Sequence, residues 1–600
     1  MQEALAALRS TFGFEQFRPG QAEAVAAALA GRDALVVMPT GSGKSLCYQL
    51  PALMRDDLTL VVSPLVSLMQ DQVAALARVA PGRVELVNSQ RGRAANAEAL
   101  ERAARGELRL LYVAPERFSS PGFASAVSQL HVGLFVVDEA HCVSQWGHDF
   151  RPDYFALASA AQRLGARATV ALTATATPSV ADDIVLRLAL RDPVRVTTGF
   201  DRPNLSFAVV PCATAVDKER RLAAALAEDG ALPAIVYAGT RNACEQTASE
   251  LSRSLGLGDR VVAYHAGLER GARARIQDRF MSGDARVIVA TNAFGMGIDK
   301  ADVRTVAHAS VPGSLEAYYQ EAGRAGRDGA PARCILFAEQ RDKGLHVFFI
   351  ERSRVDAGSF ERVSERLRWA GADGSYDVAL SELAGLVMSG GRSRPDAEAV
   401  RAVIGHLARA GFVAPRPAPP DRAAGRILCD WDRRLLGNCV ASAREAERIR
   451  WNQYRAVWGY VERLACRRRA ILAHFGDRSE PHPTAPCCDT CDPAALPAVP
   501  AAPAVRAVSG AGASSHAGDL DEAIVEVVVT ARPPVGRTRA VEILRGGRSK
   551  VIEQHSYDAL DGYGSFAHLR GPDVLSRVDE LLAAGRLRST GGRFPKLRAA

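Results

Sequence analysis

The sequence predicts an α/β protein: two tandem domains, each built on a parallel sheet, followed by a helical module and a small C-terminal domain. Two observations carry this. Residues 1–200 hold short apolar runs, ALVVM (34–38), LTLVVS (58–63), LRLLYV (108–113), LFVVDE (134–139) and ATVALTAT (168–175), separated by helical patterns. Residues 201–350 repeat the pattern with AIVYAG (234–239), RVVAYH (260–265), RVIVAT (286–291), RTVAHAS (304–310) and RCILFA (333–338). Continuous Val/Ile/Leu runs spaced by helices mark parallel sheets, because crossover helices cover both faces of each strand. The second observation is a Pro-, Ala-, Gly- and Ser-rich stretch at 492–519, which lacks large apolar residues and reads as a flexible linker ahead of a last domain at 520–600.

A chain of 600 residues is too long for one core and predicts about four domains. Its 48% hydrophobic and 24% charged residues are those of a globular protein. A net charge of +8 is mild for this length and is compatible with a polyanionic partner. Arginine is abundant and lysine rare, a bias that a GC-rich genome produces by itself. No apolar run approaches the roughly 20 residues of a membrane helix. The start, MQEALAALRS, carries an acidic residue and no signal-peptide pattern, which predicts a cytoplasmic, nucleoid-associated bacterial protein with no membrane partner.

In the first domain (1–200), MPTGSGKS (38–45) follows the run ALVV and precedes a helical pattern. The small residues Thr40, Gly41, Ser42 and Gly43 let backbone N–H groups close around phosphates. Lys44 supplies charge for the β- and γ-phosphates, and Ser45 a hydroxyl for Mg²⁺. About 100 residues on, Asp138-Glu139-Ala140-His141 ends another buried run. Asp138 suits a Mg²⁺-holding carboxylate and Glu139 one that polarises an attacking water. The segment after it, CVSQWGHDFRPDY (142–154), is rich in rings and charge.

TTGFDRPNLSF (197–207) reads as a connector to the second domain (201–350). There, YYQEAGRAGRDG (318–329) places Gln320, Arg324 and Arg327 at spacings of four and three, on about one face if the stretch is helical. An arginine arriving from a second domain can neutralise γ-phosphate charge. Residues 351–440 read as a helical insertion or a small winged-helix-like unit, with SELAGLV (381–387) and VRAVIGHLARAGFV (400–413) as helices. Residues 441–491 read as a basic helical module whose Trp451, Tyr454, Trp458 and Tyr460 are core. It carries Cys466, Cys487, Cys488 and Cys491. Four thiolates suit tetrahedral structural Zn²⁺, although adjacent Cys487 and Cys488 crowd the site and leave His474 or His482 as alternative ligands.

In this order the motifs resemble those of helicase superfamily 2, and specifically the RecQ family: FGFEQFRPGQ (12–21), TGSGKS (40–45), SPLVSLMQDQV (63–73), DEAHCVSQWGHDFRPDY (138–154), LTATAT (172–177), YHAGL (264–268), TNAFGMGIDK (291–300) and QEAGRAGRDG (320–329). The resemblance spans about residues 1–350 and implies two RecA-like domains with ATP and Mg²⁺ between them. It makes Phe14, Arg18 and Gln21 the adenine reader, with Phe14 stacking and Gln21 apt for the adenine edge. It also makes the ring-rich segment a sensor of single-stranded DNA, with Trp146, Phe150 and Arg151 as contacts. Rings stack on unpaired bases at about 1–3 kcal/mol each whatever the sequence.

CRRRAILAHFG (466–476) is similar to the start of the family's zinc subdomain, and residues 520–600 look like its winged helix, the RQC domain. The residues themselves read as helix, helix, then a hairpin turning at Thr590-Gly591-Gly592. Arg537, Arg539, Arg545, Arg548 and Lys550 are the candidate duplex-backbone contacts. The family implies a 3′→5′ ATP-dependent DNA helicase acting in recombination and repair on single-stranded, forked or duplex DNA, with single-strand-binding and repair proteins as candidate partners. The alternative is a DNA-stimulated translocase that remodels nucleoprotein with little unwinding.

Overall fold

The computed structural model describes the chain except residues 65, 89, 120, 145–153, 155–156, 293, 295–299, 370–373, 389–396, 417, 419–420, 499–513, 548, 568, 570, 591–594 and 600. It divides into two compact units, Met1–Pro500 and Ala501–Ala600. Among the described residues no helix is long and apolar enough to cross a membrane.

The first lobe is a seven-stranded, all-parallel sheet. Its strands are β1 (Ala34–Val37), β2 (Leu58–Val62), β3 (Val84–Val87), β4 (Leu110–Val113), β5 (Val132–Val137), β6 (Ala168–Thr173) and β7 (Val194–Thr197), in the order β3-β4-β2-β5-β6-β1-β7. The second lobe is a six-stranded parallel sheet of β8 (Leu205–Cys212), β9 (Ala234–Tyr237), β10 (Val261–Tyr264), β11 (Val287–Ala290), β12 (Thr305–His308) and β13 (Ala332–Glu339), ordered β10-β11-β9-β12-β13-β8. The central strands are buried throughout, as crossover helices on both faces require. β3, β7 and β8 lie outside the ten apolar runs. β3 and β7 break the apolar pattern with Glu85 and Arg195, and β8 lies partly in the residues read as a connector. That connector is therefore short: its ends belong to the two sheets.

Residues 351–440 are not purely helical. The helix Ala357–Arg368, strand β14 (Ser375–Ala379), helices Leu380–Ala384 and Ala397–Arg409, and strands β15 (Val413–Arg416) and β16 (Arg422–Ile427) follow in the element order of a winged helix. The antiparallel order is β14-β16-β15, and a separate core runs from Phe360 to Cys439. The next helix starts at Arg433, ahead of the expected boundary at 441, and runs 30 residues to Glu462, about 45 Å. Asp432 caps it by accepting from the Leu435 N–H at 2.7 Å. Trp458 and Tyr460 are core, whereas Trp451 and Tyr454 are half-buried.

Both ends of the stretch read as linker, 492–519, carry regular structure. Pro493–Ala495 forms a turn against β8, and the Ala498 N–H donates to Glu228 at 2.7 Å. The C-terminal unit starts with a helix at Ser514–Thr530, since Leu520, Ile524, Val527 and Val528 need a helical face to reach the core. Helices Arg537–Leu544, Lys550–Gln554 and Gly571–Ala583 follow, then the antiparallel pair β17 (Leu587–Ser589) and β18 (Leu597–Ala599). Thr590 ends the described part of the expected turn; Gly591 and Gly592 lie outside the described residues.

Candidate active site

At the C-terminal end of β1 the loop 38–45 opens onto a cavity of about 510 Å³, where ligands sit in open parallel sheets. Its lining includes Phe14, Arg18, Gln21, Gly41, Gly43, Lys44, Ser45, Asp138, Glu139 and Arg327. Gly43 has φ +78°, and a Cβ there would stand 2.8 Å from Gln21 Nε2, so the loop closes only with glycine. Lys44 Nζ donates to the Met38 and Pro39 carbonyls at 3.0 and 3.1 Å. Ser45 starts the helix Leu46–Met54, whose N–H groups favour an anion. Gln21 donates to the Ser42 and Gly43 carbonyls, both at 3.0 Å, and Arg18 to the Gly41 carbonyl at 2.8 Å. The expected base readers thus also tie down the phosphate loop. Phe14 remains exposed beside the cavity. Thr40 and Ser42 lie on the other side of the loop, on a crevice of about 250 Å³ with Arg327.

Asp138 and Glu139 follow β5. Burial, and then the neighbouring Glu139, push the Asp138 carboxyl up to about 7 against the pull of Lys44. Burial lowers the Lys44 ammonium, with both carboxylates opposing it. Two carboxylates beside one buried ammonium form a donor set that fits a divalent cation. His141 is buried. Its Nδ1 lies 2.9 Å from Thr173 Oγ1 on β6 and 3.4 Å from Glu139 Oε2.

The arginine-bearing stretch is not one helix. The helix Leu315–Ala322 ends ahead of Arg324 and Arg327, which lie in the turn after it. Gly326 closes that turn at φ +54°, where a Cβ would meet Asn204 Nδ2 at 2.4 Å and the Ala330 carbonyl at 2.8 Å. The turn points its arginines two ways. Arg327 packs over the phosphate loop, its Cγ 3.5 Å from where a Gly41 Cβ would be. Gln320 and Arg324 line a second cavity, of about 590 Å³, at the ends of β9, β11 and β12, where Tyr237 is also part of the lining.

Trp146, Phe150 and Arg151 lie outside the described residues. Tyr154, at the end of their segment, is fully buried and donates from its hydroxyl to the Asp138 carbonyl at 3.1 Å. It joins the ring-rich segment to the carboxylate strand, a role that sequence reasoning did not assign. Ser144 is tied to Asp183 at 2.7 Å.

The thiols of Cys466, Cys487, Cys488 and Cys491 converge, with all four sulfurs within 4.8 Å of one another. The Cys466–Cys487 and Cys466–Cys488 separations of 3.7 and 3.9 Å match the about 3.8 Å edge of a tetrahedron with metal–sulfur bonds of about 2.3 Å. The Cys487–Cys488 adjacency is accommodated because the loop pairs with β8: the Phe207 N–H donates to the Cys487 carbonyl at 3.2 Å, and the Asp489 N–H to the Phe207 carbonyl at 3.0 Å. His474 is engaged elsewhere, 2.8 Å from Glu316. His482 donates its backbone N–H to Asp201 at 3.0 Å.

In the C-terminal unit, Arg537 pairs with Asp579 at 2.8 Å and Arg545 donates to the Leu569 carbonyl at 2.9 Å. Arg539 donates to Ser549 at 2.8 Å and pairs with Glu542. These arginines are thus partly used inside the fold. Arg548 and the Lys550 side chain lie outside the described residues.

Four family models match along the chain: DEAD/DEAH box helicase over residues 18–184, helicase conserved C-terminal domain over 217–329, RecQ zinc-binding over 430–492 and RQC domain over 520–600. The chain is 44% identical over 340 residues to the ATP-dependent DNA helicase RecQ of Haemophilus influenzae, covering 56% of this chain and 54% of that one. To the ATP-dependent DNA helicase RecQ of Pasteurella multocida it is 42% identical over 353 residues, 58% of this chain and 55% of that one. To the probable ATP-dependent DNA helicase RecS of Bacillus subtilis it is 41% identical over 357 residues, 60% of this chain and 70% of that one. The chain belongs to the RecQ family. It spans a little over half the length of the first two relatives. Residues 330–429 fall between the second and third matched regions, and this RecQ-family chain carries its winged-helix-like domain there.

Proposed function

We propose that the protein is an ATP-dependent DNA helicase that moves 3′→5′ along one strand and parts duplex or forked DNA in recombination and repair. One observation carries this reading: Arg327, from the second lobe, lines the same cavity as Lys44, Asp138 and Glu139 of the first. ATP seats there with its base against Phe14, Arg18 and Gln21 and its phosphates on the loop. Lys44 exchanges the Met38 and Pro39 carbonyls for phosphate oxygens. Ser45 and Asp138 would hold Mg²⁺, which neutralises phosphate charge. Glu139, steadied by His141, orients the attacking water, and Arg327 takes up charge on the γ-phosphate. Gln320 and Arg324, on the far side of the turn, join this site as the lobes close. Tyr154 links the segment of Trp146, Phe150 and Arg151 to the Asp138 strand, so that bases stacked on those rings bear on the carboxylates.

The four thiolates would hold a structural Zn²⁺, and the C-terminal unit would bind duplex DNA. Strand displacement on 3′-tailed, 5′-tailed and blunt duplexes tests the proposal. The expected result is ATP-dependent displacement of the 3′-tailed substrate alone. DNA-stimulated hydrolysis with no displaced strand on any substrate would favour the translocase instead.

A further inference from the structure

Between the two lobes, in the short segment joining β7 to β8, Arg202 extends a half-buried guanidinium into the seam. Its Nη1 donates to the Thr40 carbonyl at 3.0 Å and to the Gly323 carbonyl at 3.1 Å. Its Nη2 donates to the Ala325 and Gly326 carbonyls at 3.0 and 3.2 Å. Thr40 belongs to the phosphate loop. Gly323, Ala325 and Gly326 belong to the turn that carries Arg324 and Arg327. One planar fork therefore grips the backbone of both halves of the nucleotide site. The two surfaces meet closely there, since a Cβ on Gly323 would stand 3.5 Å from the Thr40 Cβ.

The segment that carries Arg202 is itself held in place. Arg468, from the helix Arg467–His474 beside the cysteine cluster, donates to the Arg202 carbonyl at 2.7 Å and pairs with Asp201. The neighbouring Phe200 ring stacks on Phe475 with centroids 4.4 Å apart, and the Phe200 N–H donates to Asp477 at 2.8 Å. Tyr319, from the helix that precedes the arginine turn, donates to the Phe200 carbonyl at 2.8 Å. Asn204 adds two bonds of 2.8 Å to the Gly326 and Ala330 carbonyls. Burial lowers the Arg202 pKa, and each of these four acceptors is a carbonyl oxygen. Holding an arginine here costs desolvation, and what it obtains is geometry: only a rigid fork reaches acceptors on two loops at once.

We infer that Arg202 is a positioning residue for hydrolysis: it sets the register of the arginine turn against the phosphate loop and so places Arg327 at the γ-phosphate. The inference rests on the reading of the cavity as an ATP site. A misplacement of about 1 Å in a positioned group costs about 100-fold in rate. Arg202→Gln should therefore lower kcat for DNA-stimulated ATP hydrolysis by about 100-fold, with nucleotide affinity, measured with a fluorescent ATP analogue, changed less than about threefold. Arg202→Lys keeps the charge without the fork. It should recover less than about tenfold of the loss, and it carries the test should the glutamine variant fold poorly.

A role through Arg327 adds a signature that a merely structural residue would lack. In an Arg327→Ala background, Arg202→Gln should lower kcat by less than about a further threefold, because its effect passes through a group already gone. A glutamine variant within about threefold of wild type, a lysine variant that restores full kcat, or full multiplicative loss in the double variant would each overturn the inference. A wild-type chain that binds no ATP analogue and hydrolyses no ATP would overturn the ATP reading itself, and this inference with it.

Discussion

Thr173 sits at the end of β6, fully buried, and its hydroxyl serves two partners. His141 Nδ1 lies 2.9 Å away, and the Thr175 N–H donates to it at 3.2 Å. Thr173→Val keeps the shape and removes both. Each buried polar group left without its partner costs about 1–3 kcal/mol. His141 Nδ1 can still turn toward Glu139 Oε2, now 3.4 Å away, which trims its share. The sum is about 2–4 kcal/mol of lost stability, read as a lower midpoint of urea unfolding with an unchanged slope. The turn of His141 toward Glu139 also disturbs the carboxylate to which we assign the attacking water. If about 1.4 kcal/mol of that reaches the barrier, kcat falls about tenfold while affinity for the ATP analogue stays. A variant destabilised by less than about 0.5 kcal/mol, with wild-type kcat, would refute the idea that the Glu139–His141–Thr173 chain braces the hydrolytic carboxylate.

Three further outcomes are expected. Trp146→Ala combined with Phe150→Ala should abolish most DNA stimulation of ATP hydrolysis while ATP-analogue binding persists; stimulation ratios with and without single-stranded DNA check this. Cys466→Ser should lower bound zinc from about one ion per chain and expose the 430–491 region to protease, read by metal analysis and limited proteolysis. In the C-terminal unit, Asp521 accepts from Arg577 at 2.8 Å and from Arg586 at 2.9 Å. The Arg577 bonds, chiefly, hold its carboxyl below the usual carboxylate range. Because the folded pKa lies below the unfolded one, that stabilisation is complete above about pH 4 and is lost as pH falls through the folded value. Hydrogen-exchange protection across residues 520–600, corrected for the intrinsic exchange rate at each pH, should fall as the solution is acidified, and Asp521→Asn should flatten that dependence.

Local chemistry made much of the site legible. A phosphate loop needs small residues, a lysine and a hydroxyl in sequence, and a buried parallel strand needs an unbroken apolar run, so residues 38–45 and 134–139 declare themselves. What stayed hidden is non-local or locally weak. β15 and β16 carry Pro415 and Gly425, so no apolar alternation signals the sheet of the inserted domain. The arginine stretch keeps a helical spacing past its true end at Ala322, because only the contact with Asn204 and Ala330 shows that the chain turns at Gly326. Arg202 looks like any loop arginine until Thr40, Gly323, Ala325 and Gly326 are brought around it by two sheets folding separately. Tyr154 was visible in a ring-rich segment, but its burial against the Asp138 carbonyl is a product of the tertiary fold.

The seating of ATP between two lobes is tested most directly by single-turnover phosphate release from Arg327→Ala at saturating ATP and single-stranded DNA. An arginine supplied across the seam predicts a fall of about 10³–10⁵ with ATP-analogue binding retained. Release within about threefold of wild type would contradict it.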